Sequence, residues 1–284
     1  MALPTTRPTP LRSLVEALAH YVPRTAFAAL YLVPLAWLVS TSFRTGANLF
    51  DPGQWVPHPA TMQHYTRLFD LLPDLGKYAF NTLRIAVLAT AGTLVTSSMA
   101  GYALARLHFP GRTALFLFIV ATLMIPAQVT LIPNYVLIRH LGWLNTPWAI
   151  IVPAALGSAY NTFFFRQFFA AIPRELEEAA FIDGAGYFRV YWSIIVPLSK
   201  PAFWTLGLLT FVGHWNGFFA PTIFLQSQDQ WVLTQALRSL LGTANQRWGE
   251  IMAGVTLMSV PMFVLFLILQ RFIVEGVAVG GVKE

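Results

Sequence analysis

The residues from Arg174 to Pro201 read RELEEAAFIDGAGYFRVYWSIIVPLSKP, a charged and small-residue interval between long apolar stretches. Its first half has the apolar periodicity of a helix, and the glutamates near its start complement the positive end of a helix dipole. Asp183-Gly184 is a turn signal, because glycine accepts the backbone angles that end a helix. A second helical stripe follows and is predicted to stop at Pro197, which has no backbone N–H to donate. The stretch therefore predicts a short helix, a turn and another short helix.

The two predicted helices present different surfaces. The second is aromatic, with a bulk suited to lipid headgroups or to the ends of neighbouring helices. The first offers Ala179, Ala180 and Gly184, whose small side chains allow the backbone of another protein to approach closely. A protein partner for the first helix is one interpretation. An amphipathic linker lying on the membrane is the alternative that spacing alone leaves open.

The composition indicates a membrane protein. The chain of 284 residues is 56% hydrophobic and 11% charged, whereas soluble proteins average roughly 25% charged residues. A net charge of +6 suggests nucleic acid binding in a soluble protein, but here it is better explained by the orientation of membrane segments. The chain has no cysteine, which excludes disulfides, thiolate metal sites and cysteine nucleophiles.

Six segments are apolar and long enough to cross a bilayer, which takes roughly 20 residues per helix. They cover about Thr25–Phe43, Ile85–Leu104, Thr113–Tyr135, Trp148–Phe165, Ala202–Leu225 and Ile251–Phe272. With the N-terminus inside, eleven of the 18 Lys and Arg residues fall in inner stretches and the other seven in outer ones. We therefore predict an all-α polytopic membrane protein with six transmembrane helices and both termini in the cytoplasm. The stretch at Glu178 then also faces the cytoplasm.

Polar residues inside predicted spans are candidates for a substrate pathway. The fourth span ends in a polar cluster that includes Asn161. The fifth carries His214 and Asn216, the most polar pair in any span, with Trp215 between them as a surface on which a sugar could stack. Hydrogen bonds between helices are the competing interpretation for all four residues, because buried polar groups need partners inside a bilayer.

The cytoplasmic stretch resembles the EAA signature of permease subunits of ATP-binding-cassette importers. The resemblance is carried by Glu178-Ala179-Ala180, by Gly184 four residues later, and by Ile194 and Pro197, with Val196 where a leucine is usual. It implies a type I importer transmembrane domain and an ATPase-coupling role for Glu177, Glu178, Ala179, Ala180, Asp183, Gly184 and Pro197. The predicted outer loop looks like that of the carbohydrate class, through Trp55, Pro57, Tyr65, Leu68 and Phe69.

The resemblance also implies partners and boundaries. The expected partners are two cytosolic ATPase subunits, a second permease subunit, an extracytoplasmic solute-binding protein and membrane lipid, without nucleic acid. ATP and Mg are expected on the ATPase, and no cofactor or metal in this chain. The expected location is the prokaryotic inner membrane. The expected divisions are a cytoplasmic segment 1–24 and a transmembrane domain 25–284, with outer loops at about 44–84 and 226–249 and a coupling loop at about 171–200.

Two motifs of catalytic sites, the P-loop and the His-Glu-x2-His zinc site, are missing from the sequence. Gly76-Lys77 is followed by Tyr78 and is not a P-loop, and the six histidines form no His-Glu-x2-His zinc site. We therefore expect a translocation subunit and not an enzyme. An ATP-independent secondary transporter or channel is the alternative, although ion-coupled carriers usually place ionisable groups at mid-membrane and these spans hold no acidic residue near their centres. A sugar or oligosaccharide is the expected substrate, with glycerol phosphate or another small polar solute as the alternative.

Overall fold

The computed structural model describes residues 10–45, 49–242 and 247–281, and the regular elements in these ranges are helices without a strand. The α-helices are α1 (Pro10–Ser42), α2 (Gln63–Leu71), α3 (Leu75–Arg106), α4 (Arg112–Thr122), α5 (Leu131–His140), α6 (Trp148–Ala155), α7 (Ala159–Ala170), α8 (Glu175–Ile182), α9 (Tyr187–Val190), α10 (Val196–Leu198), α11 (Lys200–Trp215), α12 (Phe219–Phe224), α13 (Leu233–Ser239) and α14 (Trp248–Gly281). A π-helical segment, Tyr191–Ile195, joins α9 to α10, and short 3₁₀ turns lie at Gln228–Gln230 and Leu240–Gly242. The predicted all-α class is confirmed.

Four helices in the described part of the chain are long and apolar enough to cross a membrane. They are Ala19–Ser42, Leu75–Arg106, Trp148–Ala170 and Trp248–Gln270. The bent pair formed by Tyr187–Leu198 and Lys200–Trp215 makes a fifth if it is one broken span. The remaining predicted span, Thr113–Tyr135, is divided between α4 and α5, and α4 is apolar but short. Pro126 lies in the non-helical connection, where proline disfavours a helical residue before it.

The chain falls into two compact units. The first lies within Met1–Leu71 and Thr243–Leu257. In it the guanidinium carbon of Arg44 lies 4.1 Å from the centroid of the Trp37 ring. The Nε2 of His64 lies 2.8 Å from the carbonyl oxygen of Arg44, and its Nδ1 lies 3.7 Å from Oε1 of Glu250. These contacts hold the end of α1, the start of α2 and the start of α14 together.

The second unit lies within Leu72–Gly242 and Met258–Glu284 and is built around α3. That helix packs against α6, α7 and α11, because small residues on its surface let the neighbouring backbones approach. A Cβ on Gly92 would overlap the side chain of Ala155 in α6, and one on Gly101 would lie 2.7 Å from Cβ of Phe165 in α7. Only glycine therefore fits these two crossing points without moving a helix.

Two apolar clusters fill the second unit. One includes Ile85, Ile138, Ala149, Ile150, Ile151, Phe224, Leu225 and Val232. The other includes Tyr102, Phe165, Phe169, Val190, Tyr191, Ile195, Ala202 and Leu206, and it anchors the predicted coupling loop to the helix bundle. Ala180, Phe181 and Ala185 pack against this second cluster, which fixes the position of α8 and the turn after it.

Candidate functional site

Helix α8 begins the candidate site with an acidic first turn. Glu175, Glu177 and Glu178 lie in that turn, where their charges complement the positive end of the helix dipole. Arg174 precedes the helix and makes no side-chain capping bond, and its carbonyl oxygen accepts from the N–H groups of Glu177 at 2.9 Å and Glu178 at 3.0 Å. Glu178 is exposed, whereas Glu177 is 5% exposed and faces the helix bundle. The two neighbouring glutamates of the predicted coupling set therefore have different surroundings.

Glu177 forms a buried ion pair with Arg106, the last residue of α3. The Arg106 Nε lies 2.7 Å from Oε1 of Glu177, and both side chains are almost fully buried. The same guanidinium donates a hydrogen bond through Nη2 to the carbonyl oxygen of Ile172, just before α8. Burial raises the pKa of the Glu177 carboxyl, and the positive charge of Arg106 opposes that rise. One arginine thus holds both the start of α8 and the turn that precedes it.

The end of α8 is a Schellman motif. The N–H of Gly184 bonds to the carbonyl of Phe181 at 3.0 Å, and the N–H of Ala185 bonds to the carbonyl of Ala180 at 2.9 Å. Gly184 has a φ of +82°, a left-handed conformation that glycine adopts without strain. The turn predicted from Asp183-Gly184 is confirmed.

The chain then returns to the bundle through a continuous rod, Tyr187–Leu198, which we call the return helix. Val190, Tyr191 and Ile195 are buried along one of its faces. Three aromatic residues of the same helix, Tyr187, Phe188 and Trp192, are exposed. The predicted stop at Pro197 is wrong by a small margin, because the proline lies within the last turn and the helix ends at Leu198. A proline is tolerated there because Val196 and Pro197 are the first two residues of α10, after the π-helical segment.

The outward side of α8 and its turn forms one continuous surface, which we call the loop face. All its members are exposed, although Ile182 and Leu176 are apolar. Ile182 is 86% exposed, an unfavourable position for an isoleucine that stays in water. The loop face consists of Leu176, Glu178, Ala179, Ile182, Asp183 and Gly184. Ala180 is half-buried against the bundle, and Pro197 is exposed on the return helix. Of the predicted coupling residues in α8 and its turn, Glu177 is buried and Ala180 is half-buried. The others are exposed on the loop face, namely Glu178, Ala179, Asp183 and Gly184.

The predicted pathway residues do not share one cavity. His214 lies on the wall of a cavity of about 620 Å³ between α5, α6, α11 and α12, and the walls are mainly apolar, with Trp143, Phe218 and Phe219 among them. Asn216 is exposed at the end of α11. Of the four predicted residues, only His214 lines this cavity.

Trp215 and Asn161 instead join helices. The indole Nε1 of Trp215 donates to the carbonyl oxygen of Met258 at 3.1 Å, and the side chain is buried. The amide Nδ2 of Asn161 donates to the hydroxyl of Thr210 at 3.1 Å, which links α7 to α11. For these two residues the geometry favours the interhelical interpretation that the sequence left open.

Sequence reasoning missed two residues that fix the loop to α3. Arg106 is one of the eleven basic residues that fall in predicted inner stretches, and only its position at the end of an apolar span indicates a partner near the membrane surface. Tyr191 belongs to the second, aromatic helix predicted from the sequence, and its hydroxyl lies 2.8 Å from that of Ser98. Neither contact has a local sequence signature, because each joins segments that are far apart in the chain.

Comparisons with known proteins agree with this architecture. A solved bacterial ABC transporter involved in the import of the acidic polysaccharide alginate contains a chain with the same fold, at a TM-score of 0.77 and 23% identity, covering 94% of this chain and 99% of that one. The arabinooligosaccharides transport system permease protein AraQ of Bacillus subtilis is 32% identical over 89% of this chain and 91% of its own length.

A further relative covers nearly the whole chain. The lactose transport system permease protein LacG of Rhizobium radiobacter is 30% identical over 97% of this chain and 99% of its own length. The family described as binding-protein-dependent transport system inner membrane component matches residues 72–279, a range that contains α3, the loop face and the return helix. The chain therefore belongs to the family of binding-protein-dependent transport system inner membrane components, the permease subunits of ABC importers.

Proposed function

We propose that the loop face binds a cytosolic ATPase subunit and carries its closure to the membrane helices. The exposure of Ile182 and Leu176 beside Glu178 is the observation that supports this most directly, because apolar side chains on a surface helix gain from burial by a partner. Ala179 and Gly184 add no bulk, so a partner's backbone can come close. ATP and Mg then belong to the ATPase, and this chain contributes the docking surface.

The full assembly in this proposal contains two ATPase subunits, a second permease subunit and an extracytoplasmic solute-binding protein. Residues 1–24 form a cytoplasmic segment, residues 25–284 form the transmembrane domain, and both termini lie in the cytoplasm. The excess of Lys and Arg in the predicted inner stretches supports this orientation. Residues 44–84 and 226–249 then lie outside, where the binding protein delivers the substrate.

A sugar or oligosaccharide is the substrate class that we propose. The names of three relatives support it, because they refer to the transport or uptake of arabinooligosaccharides, lactose and diacetylchitobiose. The diacetylchitobiose relative, NgcG of Streptomyces coelicolor, is 28% identical to this chain. His214 is the residue of this chain that we place on the pathway, because it lines a large cavity whose aromatic walls suit the apolar faces of a sugar ring.

Alternating access follows from these assignments. ATP-driven closure of the ATPase pair displaces α8, and the buried contacts of the return helix carry that displacement into α3 and α7. The spans then reorient as bodies, because packed helices move between discrete arrangements and do not deform continuously.

Reconstitution tests the proposed function. The permease pair, the ATPase and the binding protein are placed in proteoliposomes, and uptake of labelled oligosaccharides and of glycerol phosphate is measured with and without ATP. We expect uptake of an oligosaccharide that requires ATP and the binding protein. Uptake driven by an ion gradient in liposomes without the ATPase would instead support a secondary transporter, and ATP-dependent uptake of glycerol phosphate alone would reject the sugar assignment.

A further inference from the structure

Three contacts attach the coupling loop to one face of α3. They start from Ser98, Tyr102 and Arg106, which are spaced four residues apart and therefore lie above one another on the helix. The hydroxyl of Ser98 meets the hydroxyl of Tyr191 at 2.8 Å, and the ring of Tyr102 lies 5.3 Å from the ring of Tyr191. The third contact is the ion pair between Arg106 and Glu177.

The ion pair differs from the other two contacts because it is the one that reaches α8 itself. Both side chains are almost fully removed from water, so separating them would leave a buried charge without a partner. The guanidinium lies at the carboxyl end of α3, where the helix dipole favours a positive charge. Its second bond, to the carbonyl of Ile172, restricts the turn before α8 as well. Movement of α8 and the turn before it away from α3 therefore breaks two interactions of one buried arginine.

We propose that Arg106 is a positioning residue for ATP coupling, and that its pair with Glu177 makes α8 and α3 move as one body. The proposal rests on the proposed function, in which α8 receives the displacement from the ATPase. Glu178 on the exposed side of α8 then meets the ATPase, and Glu177 on the inner side passes the displacement to α3. The two adjacent glutamates therefore make different contacts: Glu178 with the ATPase and Glu177 with Arg106 of α3.

Neutralising Arg106 tests this in the reconstituted transporter. In the Arg106→Gln variant the ATPase still binds, because the loop face is unchanged, but α8 can shift without moving α3. We expect the number of substrate molecules moved per ATP hydrolysed to fall by about fivefold or more, the lower end of typical coupling effects. Arg139→Gln, which neutralises an exposed arginine of α5, is the matched control and should keep the wild-type ratio. An unchanged ratio in Arg106→Gln overturns the proposal.

A covalent tether gives a second test that does not depend on the stability of the glutamine variant. The chain has no cysteine, so Arg106→Cys and Glu177→Cys introduce a unique pair for a bifunctional thiol reagent with a short spacer. Before tethering, this double variant should be uncoupled like Arg106→Gln. After tethering, the ratio of transport to ATP hydrolysis should recover, because the tether replaces the ion pair. Continued ATP hydrolysis with transport still lost after tethering overturns the proposal, since α8 must then move relative to α3.

The wild-type complex separates this proposal from the proposed function. If the wild type shows no ATP-dependent uptake in the same liposomes, the proposed function fails. If the wild type couples ATP to uptake and all the Arg106 variants couple equally well, the proposed function stands and the role of Arg106 fails.

Discussion

A Cβ on Gly101 would lie 2.7 Å from the Cβ of Phe165 and 3.0 Å from the backbone nitrogen of Arg166. The helices α3 and α7 therefore cross at a distance that only a glycine permits. Phe165 belongs to the apolar cluster that anchors the predicted coupling loop. A change of this distance should therefore also disturb the packing of Val190, Tyr191 and Ile195.

Gly101→Ala should destabilise the transmembrane domain, because the added methyl group meets backbone that cannot move away cheaply. The expected cost is about 1–3 kcal/mol, the range for overpacking a dense interior. Thermal unfolding of the purified complex in detergent measures it. Gly76→Ala in the same helix is the control, since a Cβ there meets nothing within 4 Å and alanine favours a helix. Equal melting temperatures for the two variants would contradict the close crossing.

Gly184→Ala should weaken the end of α8. The left-handed backbone at φ +82° costs an alanine about 1–2 kcal/mol, although there is free space for its side chain. Gly184→Asn should be milder, because asparagine tolerates this conformation. Transport and ATPase activity are compared with those of Gly186→Ala, a control whose φ of −81° suits any residue and whose Cβ is also unobstructed. If both alanine variants behave alike, the Schellman motif has no part in coupling.

Glu178→Lys should uncouple ATP hydrolysis from uptake and leave membrane insertion intact, because it places a positive charge where the exposed loop face has a negative one. We expect the affinity for the ATPase to fall by about tenfold or more, which corresponds to about 1.4 kcal/mol. Recovery of the ATPase with the tagged permease measures this. The control is Asp70→Lys, a charge reversal at an exposed residue of α2. Retained uptake in Glu178→Lys counts against the predicted contact.

His214→Leu and Asn161→Leu should give different kinds of defect. His214 lines the cavity, so its loss should alter the uptake kinetics without loss of assembly. Asn161 holds Thr210 across the α7–α11 contact, so its loss should lower stability by about 0.5–1.5 kcal/mol. Asn216→Leu, at the exposed end of α11, is compared in the same uptake assay. Unchanged kinetics in His214→Leu remove this residue from the pathway.

The segment after α12 contains Asp229 and Trp231. A buried amide should contribute more to the stability of its packing against α3 than an exposed ion pair does. Asn81 is buried and donates to the carbonyls of Asp229 at 3.1 Å and Trp231 at 3.0 Å, so Asn81→Ala should cost about 1–3 kcal/mol. The Nζ of Lys77 lies 2.8 Å from Oδ1 of Asp229, but both side chains are exposed, and water weakens the attraction between exposed charges. Asp229→Asn should therefore shift the melting temperature much less than Asn81→Ala, and the reverse order would contradict this ranking.

The same ion pair has a defined pH dependence. The hydrogen bond and charge of Lys77 lower the pKa of the Asp229 carboxyl. A lowered pKa means that the folded form favours the ionised carboxylate. The small stabilisation is therefore present above the ordinary pKa and is lost as the pH falls through the lowered one. Melting curves between neutral and acidic pH, compared with those of Asp229→Asn, measure this difference.

The local features of the coupling loop could be predicted from the sequence because their causes are local. The helix of α8 follows from apolar spacing and an acidic first turn, and its end follows from Gly184. The inward direction of Glu177 could not be predicted, because it depends on Arg106 at the end of a distant helix. Trp215 is a similar case. Its indole could have met a sugar or a carbonyl, and only the fold brings the carbonyl of Met258 to it.

The apolar stretches of the transmembrane segments could be predicted from the sequence, but the breaks within their helices could not. The predicted span Ala202–Leu225 is interrupted after Trp215, and α12 begins at Phe219. Hydropathy reports only whether a segment is apolar, and it does not register breaks that neighbouring helices stabilise. Gly217 lies in this interruption, but a glycine inside an apolar run is also compatible with an unbroken helix.

The return helix and α11 meet at an angle of 78° beside Ser199. A displacement along the axis of the return helix is therefore almost perpendicular to the axis of α11. At such a corner, a translation of the return helix along its axis becomes a rotation of α11 about its first residues. In the proposed mechanism, motion that arrives from α8 would thus tilt α11 sideways instead of moving it along its own axis, and a sideways tilt would widen or narrow a passage between helices.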